Sequence, residues 1–202
     1  LGFEKVRLTY KNYEALTRAI TTAKLKTNMI PTEEIVESLR IIKSKDEINA
    51  TKKALNLAEE AFFQLIPSLK IGMCEKEVAW LLEQKVREAG ATALSFPSIV
   101  ASGPNAALPH AIPSDRTLKS GETILFDWGA KLNHYCSDIS RTIWFGDPDE
   151  LFQKVFETVK TAQQKAIASI KAGISSKAVD QVARSYIEKM GFKGKFDHGL
   201  GH

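Results

Sequence analysis

Residues 70–90, KIGMCEKEVAWLLEQKVREAG, align without a gap on residues 171–191, KAGISSKAVDQVARSYIEKMG, at a constant offset of 101. Lys70, Gly72, Lys76, Val78 and Gly90 recur as Lys171, Gly173, Lys177, Val179 and Gly191. The shared positions include a glycine after each helical stretch, where a left-handed residue commonly ends a helix, so the match reads as a duplication. A first copy covers about residues 44–145 and runs helix, helix, strands. The second begins near residue 147 and reaches His202 with its strands hardly begun. About half of the second copy is therefore expected to be missing.

Helix starts and periodicity give the elements of each copy. Ser44 and Glu47 form a capping box, the hydroxyl taking one free amide and the carboxylate reaching back to another. Ile48, Leu55, Ala58, Phe62 and Leu65 then keep a three-or-four spacing to Pro67, which predicts a helix of about five turns. A second helix is predicted over about Glu75 to Glu88, with Val78, Leu81, Leu82 and Val86 inward. Strand-forming runs follow at 98–101, 122–128 and 135–145. In the second copy, Asp147, Pro148 and Glu150 suggest an N-cap, a proline at the first helical position and an acidic third residue. They open a helix with Leu151, Val155, Val159, Ala162, Ile167 and Ile170 inward, followed by a shorter one from about Ser176 to Met190.

Residues 1–40 carry one helix-like stretch (Tyr13, Leu16, Ile20) and a short strand or connector at Met29-Ile30-Pro31. They are too few to bury a core and read as the tail of a preceding domain plus a linker, before a main domain over 41–202. The chain opens on Leu1 rather than Met, as a trimmed chain would. With 44% hydrophobic residues against 7 Pro and 12 Gly, the composition is that of a packed protein. No run approaches the roughly 18 apolar residues of a membrane span, and the first residues lack the apolar stretch of a signal peptide. A cytoplasmic protein with no membrane partner is expected. Cys74 and Cys136 are too few for a disulfide framework and read as reduced thiols, Cys136 as a core residue. The net charge of +4 comes from scattered lysines without a dense basic stripe, which excludes nucleic acid as a partner.

Two aspartates need explaining, because Asp127 and Asp138 each interrupt a strand-forming run where Asp is depleted. A hairpin turn centred between Leu132 and Asn133 would set them directly opposite, with like charges about 4.5–5.5 Å apart at Cβ. Either a positive charge sits between them, or one is exposed at a strand end or paired with Arg141. Glycines bracket the imidazoles in His198-Gly199-Leu200-Gly201-His202, and imidazole is a common nitrogen ligand beside carboxylate oxygens. His110 follows Pro109 in a turn leading toward Asp127, whereas His134 falls in the hairpin turn and should face solvent.

Four segments in order carry a resemblance. They are Ile99-Val100-Ala101-Ser102-Gly103-Pro104-Asn105 with Pro109-His110; Phe126-Asp127-Trp128-Gly129-Ala130; Tyr135 to Thr142; and His198 to His202. With 17 residues from His110 to Asp127 and 11 from Asp127 to Asp138, the chain resembles the M24 metallopeptidases. Within them it is most like the Xaa-Pro aminopeptidase/prolidase (creatinase-like) branch. The resemblance implies an α+β pita-bread fold of two pseudo-symmetric halves, the second incomplete here, preceded by a remnant of a smaller N-terminal domain. It implies two divalent metal ions (Mn first, with Co, Fe or Zn as alternatives) held by Asp127, Asp138 and His202, with Asp138 bridging. His110 and His198 would be the catalytic imidazoles that hold substrate, and two Glu ligands would follow beyond residue 202. The implied activity is hydrolysis of peptides or dipeptides with proline second, by a homodimer, the isolated 202 residues being nearly inactive. A methionine aminopeptidase, a creatinase-like enzyme and a metal-free binding module on the same fold are the competing readings.

Overall fold

In the computed structural model, which describes residues 1–201, the Ser44 box closes in both directions. Ser44 N–H donates to Glu47 Oε2 at 2.7 Å and Glu47 N–H donates to Ser44 Oγ at 3.3 Å. Helix α3 (Lys45–Leu65) starts there and passes through a short 3-10 turn at Pro67. Helix α4 (Glu75–Glu88) opens on a second box, with Cys74 Sγ in the role of the hydroxyl and Glu77 reaching back. The chain divides into two compact units, Leu1–Ile48 and Asn49–His202.

In the first unit, β1 (Gly2–Glu4) pairs in parallel with β2 (Ile30–Thr32), and α1 (Tyr10–Thr22) forms the crossover. A short α2 (Ile35–Arg40) follows. Neither helix buries a residue.

The core of the second unit is built from one face of a sheet on two helices. Strands β4 (Ile99–Ser102), β5 (Glu122–Trp128) and β8 (Ile139–Phe145) are antiparallel, with β5 central. A small sheet of β3 (Ala93–Leu94), β6 (Ala130–Leu132) and β7 (Tyr135–Cys136) continues the same hairpin. Alternation along β5 turns Ile124, Phe126 and Trp128 onto Ala58, Phe62, Leu65, Val78, Leu82 and Val86, all buried. Each large side chain buried in this way contributes about 1.5–3 kcal/mol. Trp128 is fixed further by stacking on Phe62 at 4.6 Å and by donating from Nε1 to Ala58 O at 3.0 Å.

The second copy is visible in α5 (Glu150–Ser169) and α6 (Ser176–Ile187). At the offset read from the sequence, Val78, Leu82 and Val86 correspond to Val179, Ala183 and Ile187, buried in both copies. Gly90 and Gly191 both take positive φ, 105° and 94°. Ala61 and Leu65 likewise correspond to buried Ala162 and Ala166. The cap of α5 is Asp149, which accepts from Phe152 N–H at 2.6 Å, two residues later than the Asp147 expected from the proline. Most of the apolar residues expected inward on α5 are not buried: Leu151, Val155, Val159, Ile167 and Ile170 are exposed. The physical reason lies in the copies. Ala54 and Ala58, which meet the sheet in the first half, correspond to Val155 and Val159, which line an open groove of about 610 Å³ between α5, α6 and residues 192–201.

Candidate metal centre

Because Phe126 and Trp128 turn inward, Asp127 takes the opposite face of β5. It is half-buried, and its Oδ1 is shut off from solvent. The hairpin register differs from the one expected. Asp127 pairs with Ser140, Trp128 with Ile139, and Lys131 with Cys136. The turn is therefore Asn133-His134, both at positive φ (50° and 70°), as a two-residue type I′ loop requires. Asn and His enter that region more readily than Leu132 would, which moves the turn one residue later. Asp138 is then the near neighbour of Asp127 along the strand pair rather than directly opposite.

The strand ladder is also interrupted between them. Both strands lose regular pairing at the same level, at Gly129 on one side and Ser137-Asp138 on the other. Ser137 is buried and donates from Oγ to Ala54 O on α3 at 3.1 Å while accepting Ala130 N–H at 3.0 Å. With Ser137 turned in, alternation sends Asp138 out, onto the Asp127 face, where it is exposed. Gly129 makes the close approach of the two strands possible, since a Cβ there would lie 1.9 Å from Ser137 O. Arg141, the alternative partner, sits opposite Phe126 in the register and reaches Glu59 of α3 at 2.6 Å. Cys136, expected in the core, is exposed, because it lies two residues from Asp138 and so shares that residue's outer face.

His110 is exposed at the tip of the connection between β4 and β5. That loop is tied down at both ends by one buried carboxylate. Glu75 accepts from Ser102 N–H and Oγ at 2.7 and 2.9 Å, and from Asn105 Nδ2 at 3.1 Å. On the far side of His110 it accepts from Ser114 N–H and Oγ at 3.0 and 2.6 Å. His198 is exposed; its Nδ1 donates to Gly199 O at 2.8 Å, and its ring meets Phe196 edge-on at 4.9 Å. Nε2 is then the nitrogen left to face a ligand or substrate. His134 is exposed in the turn, as expected. His202 lies outside the described residues. Among the described residues no three His, Cys, Asp or Glu side chains converge; the fold brings Asp127 and Asp138 to one strand pair and leaves His110 and His198 on separate loops.

Sequence reasoning passed over Glu75, and also Asp180 and Arg184 on α6. Glu75 was hidden because an acid in the first turn of a helix is ordinary. The other two carried a usable signal, an Asp and an Arg four apart on one helix face.

Residues 49–202 match the model of metallopeptidase family M24. The chain belongs to that family. Over all 202 residues it is 38% identical to the uncharacterized peptidase YqhT of Bacillus subtilis, covering 56% of that protein. It resembles the solved Xaa-Pro dipeptidase from Bacillus anthracis with 39% identity and a TM-score of 0.93, over 100% of this chain and 56% of that one. The X-Pro aminopeptidase from Thermotoga maritima is similar at 36% identity and a TM-score of 0.87, over 94% of this chain and 53% of that one. The chain thus spans about half the length of these M24 relatives. Its fold is the α+β pita-bread arrangement of the family, with the second half incomplete and represented by α5 and α6 among the described residues.

Proposed function

We propose that the protein is a metal-dependent exopeptidase that cleaves the bond between a first residue and a proline, in dipeptides or at the start of longer peptides. The observation that carries this reading is the pair Asp127 and Asp138, brought to one face of a hairpin whose other face is locked to α3. Metal ligands on this reading are Asp127, Asp138 and His202. The donor set fits: carboxylate oxygens with an imidazole nitrogen suit Mn, Fe, Co or Zn, and two adjacent anions on a half-buried face favour a cation. Two divalent ions there would polarise the scissile carbonyl and lower the pKa of a bound water.

The residues of this chain do the rest. Asp127 presents its carboxylate from the central strand, and Asp138 from the interruption opposite Gly129. His110, on the loop pinned by Glu75, and His198, with Nε2 outward, orient the peptide and meet charge that develops on its carbonyl. The solved Xaa-Pro relatives support the proline-directed choice over methionine release. Manganese, a homodimer and a cytoplasmic setting complete the reading, the last supported by two free thiols.

The test uses the full-length protein of verified mass, assayed with and without added Mn on an Xaa-Pro dipeptide and a longer Xaa-Pro peptide. Metal-dependent cleavage, abolished in Asp138→Ala, is the expected result, and the preferred substrate separates dipeptidase from aminopeptidase. A full-length protein that neither binds Mn nor cleaves either peptide would leave a binding module on the same fold.

A further inference from the structure

The segment that carries His198 has no neighbouring strand among the described residues, yet its backbone is held from one side. Arg184 on α6 donates from Nη1 to Phe196 O and from Nη2 to His198 O at 2.8 Å. Its guanidinium also lies over the Phe196 ring, 4.5 Å from the centroid. Asp180, one turn earlier, takes Nε and Nη2 of Arg184 at 3.0 and 3.1 Å, and accepts Leu200 N–H on Oδ1 at 2.8 Å. The groups held belong to residues 196, 198 and 200, every second residue, as along one edge of an extended chain. Two side chains on a helix thus supply the donors and the acceptor that a neighbouring strand would supply.

The first copy does without them. At the same offset, Asp180 and Arg184 correspond to Ala79 and Glu83, and the corresponding segment is held by backbone: Thr92 N–H donates to Lys131 O and Ser95 N–H to Gly129 O. The pair is therefore no requirement of the repeated scaffold. It sits where the second copy differs from the first, against the segment that carries His198. We propose that Asp180 and Arg184 are positioning residues for the segment Phe196 to Leu200, fixing the backbone from which the His198 imidazole projects. The planar guanidinium suits this task, since it directs donors to two carbonyls and a carboxylate at once, which a lysine ammonium cannot do in the same plane.

The proposal rests on the peptidase reading, and its test keeps the two separable. In the full-length protein, Arg184→Lys and Asp180→Asn are compared with wild type for melting temperature, amide exchange at Leu200, Mn affinity by calorimetry, and kcat and KM on an Xaa-Pro dipeptide. Both variants should melt within a few degrees of wild type. Leu200 exchange should accelerate at least about tenfold, and Mn affinity or kcat should fall about ten- to hundredfold, the scale found for residues that orient a ligand. Lysine should not rescue. Wild-type Mn affinity and kcat in a folded Arg184→Lys overturn the proposal. If that variant does not fold, Asp180→Asn, which keeps one acceptor oxygen, decides by the same readouts. Should wild type neither bind Mn nor cleave, the peptidase reading fails alone, and unchanged exchange at Leu200 in the variants would then overturn the positioning role.

Discussion

Glu75 is fully buried, and its charge is balanced by hydrogen bonds rather than by a contacting cation. Burial raises its carboxyl pKa, but the donors from Ser114 and Ser102 outweigh burial and hold it below the ordinary carboxylate value. A depressed folded pKa contributes stability that is fully present above the unfolded value, about 4.3, and lost as pH falls through the folded value. Glu75→Gln keeps the shape and removes the titration. We expect it to be less stable than wild type by about 1–3 kcal/mol at pH 7, with the gap narrowing below about pH 4. Urea unfolding at pH 7 and pH 3.5 checks this; a gap independent of pH would mean that the carboxylate is not charged in the folded state. Nothing local to KIGMCEKEV marks this glutamate as interior, because its partners lie 27 to 39 residues away.

Among the elements, the hairpin of the two aspartates depends most on one residue. Gly129→Ala would drive a methyl into Ser137 O, and neither backbone can yield without losing β6–β7 pairing. A loss of about 3 kcal/mol is expected, at the upper end of overpacking costs, measured by denaturant unfolding; a neutral effect would show that the strands can separate there. The hairpin itself, its aspartates and its exposed His134 were legible from β-forming runs and turn residues. Its register was not, because Leu132-Asn133 and Asn133-His134 both offer a polar turn residue, and the choice rests on which pair tolerates positive φ. Helix α3 was legible from its Ser44 cap and Pro67, and α4 from its periodicity and Gly90, almost to the residue. For α5 the proline gave the wrong cap, since Asp149 is also able to accept the free amide of Phe152.

Across the whole molecule, the repeat explains why one half has a finished core and the other an open groove. Val159 is 53% and Ile170 62% exposed, although their spacing marks them as interior. Contiguous apolar surface of this kind drives association, so the 202-residue chain should self-associate at micromolar concentration and bind a hydrophobic dye. Val159→Lys with Ile170→Lys should weaken both by several-fold in light scattering and fluorescence; a monomeric wild type that binds no dye would show the groove to be closed in solution. The repeated helix pair, the strand-forming runs and the candidate metal residues could be read from the sequence alone, because caps, periodicity and motif spacing act over a few residues. The close approach at Gly129, the hold of Glu75 on the His110 loop and the hold of Asp180 and Arg184 on the His198 segment were decided only by tertiary structure. Each depends on which distant backbone groups come within hydrogen-bonding distance, and no local pattern encodes that.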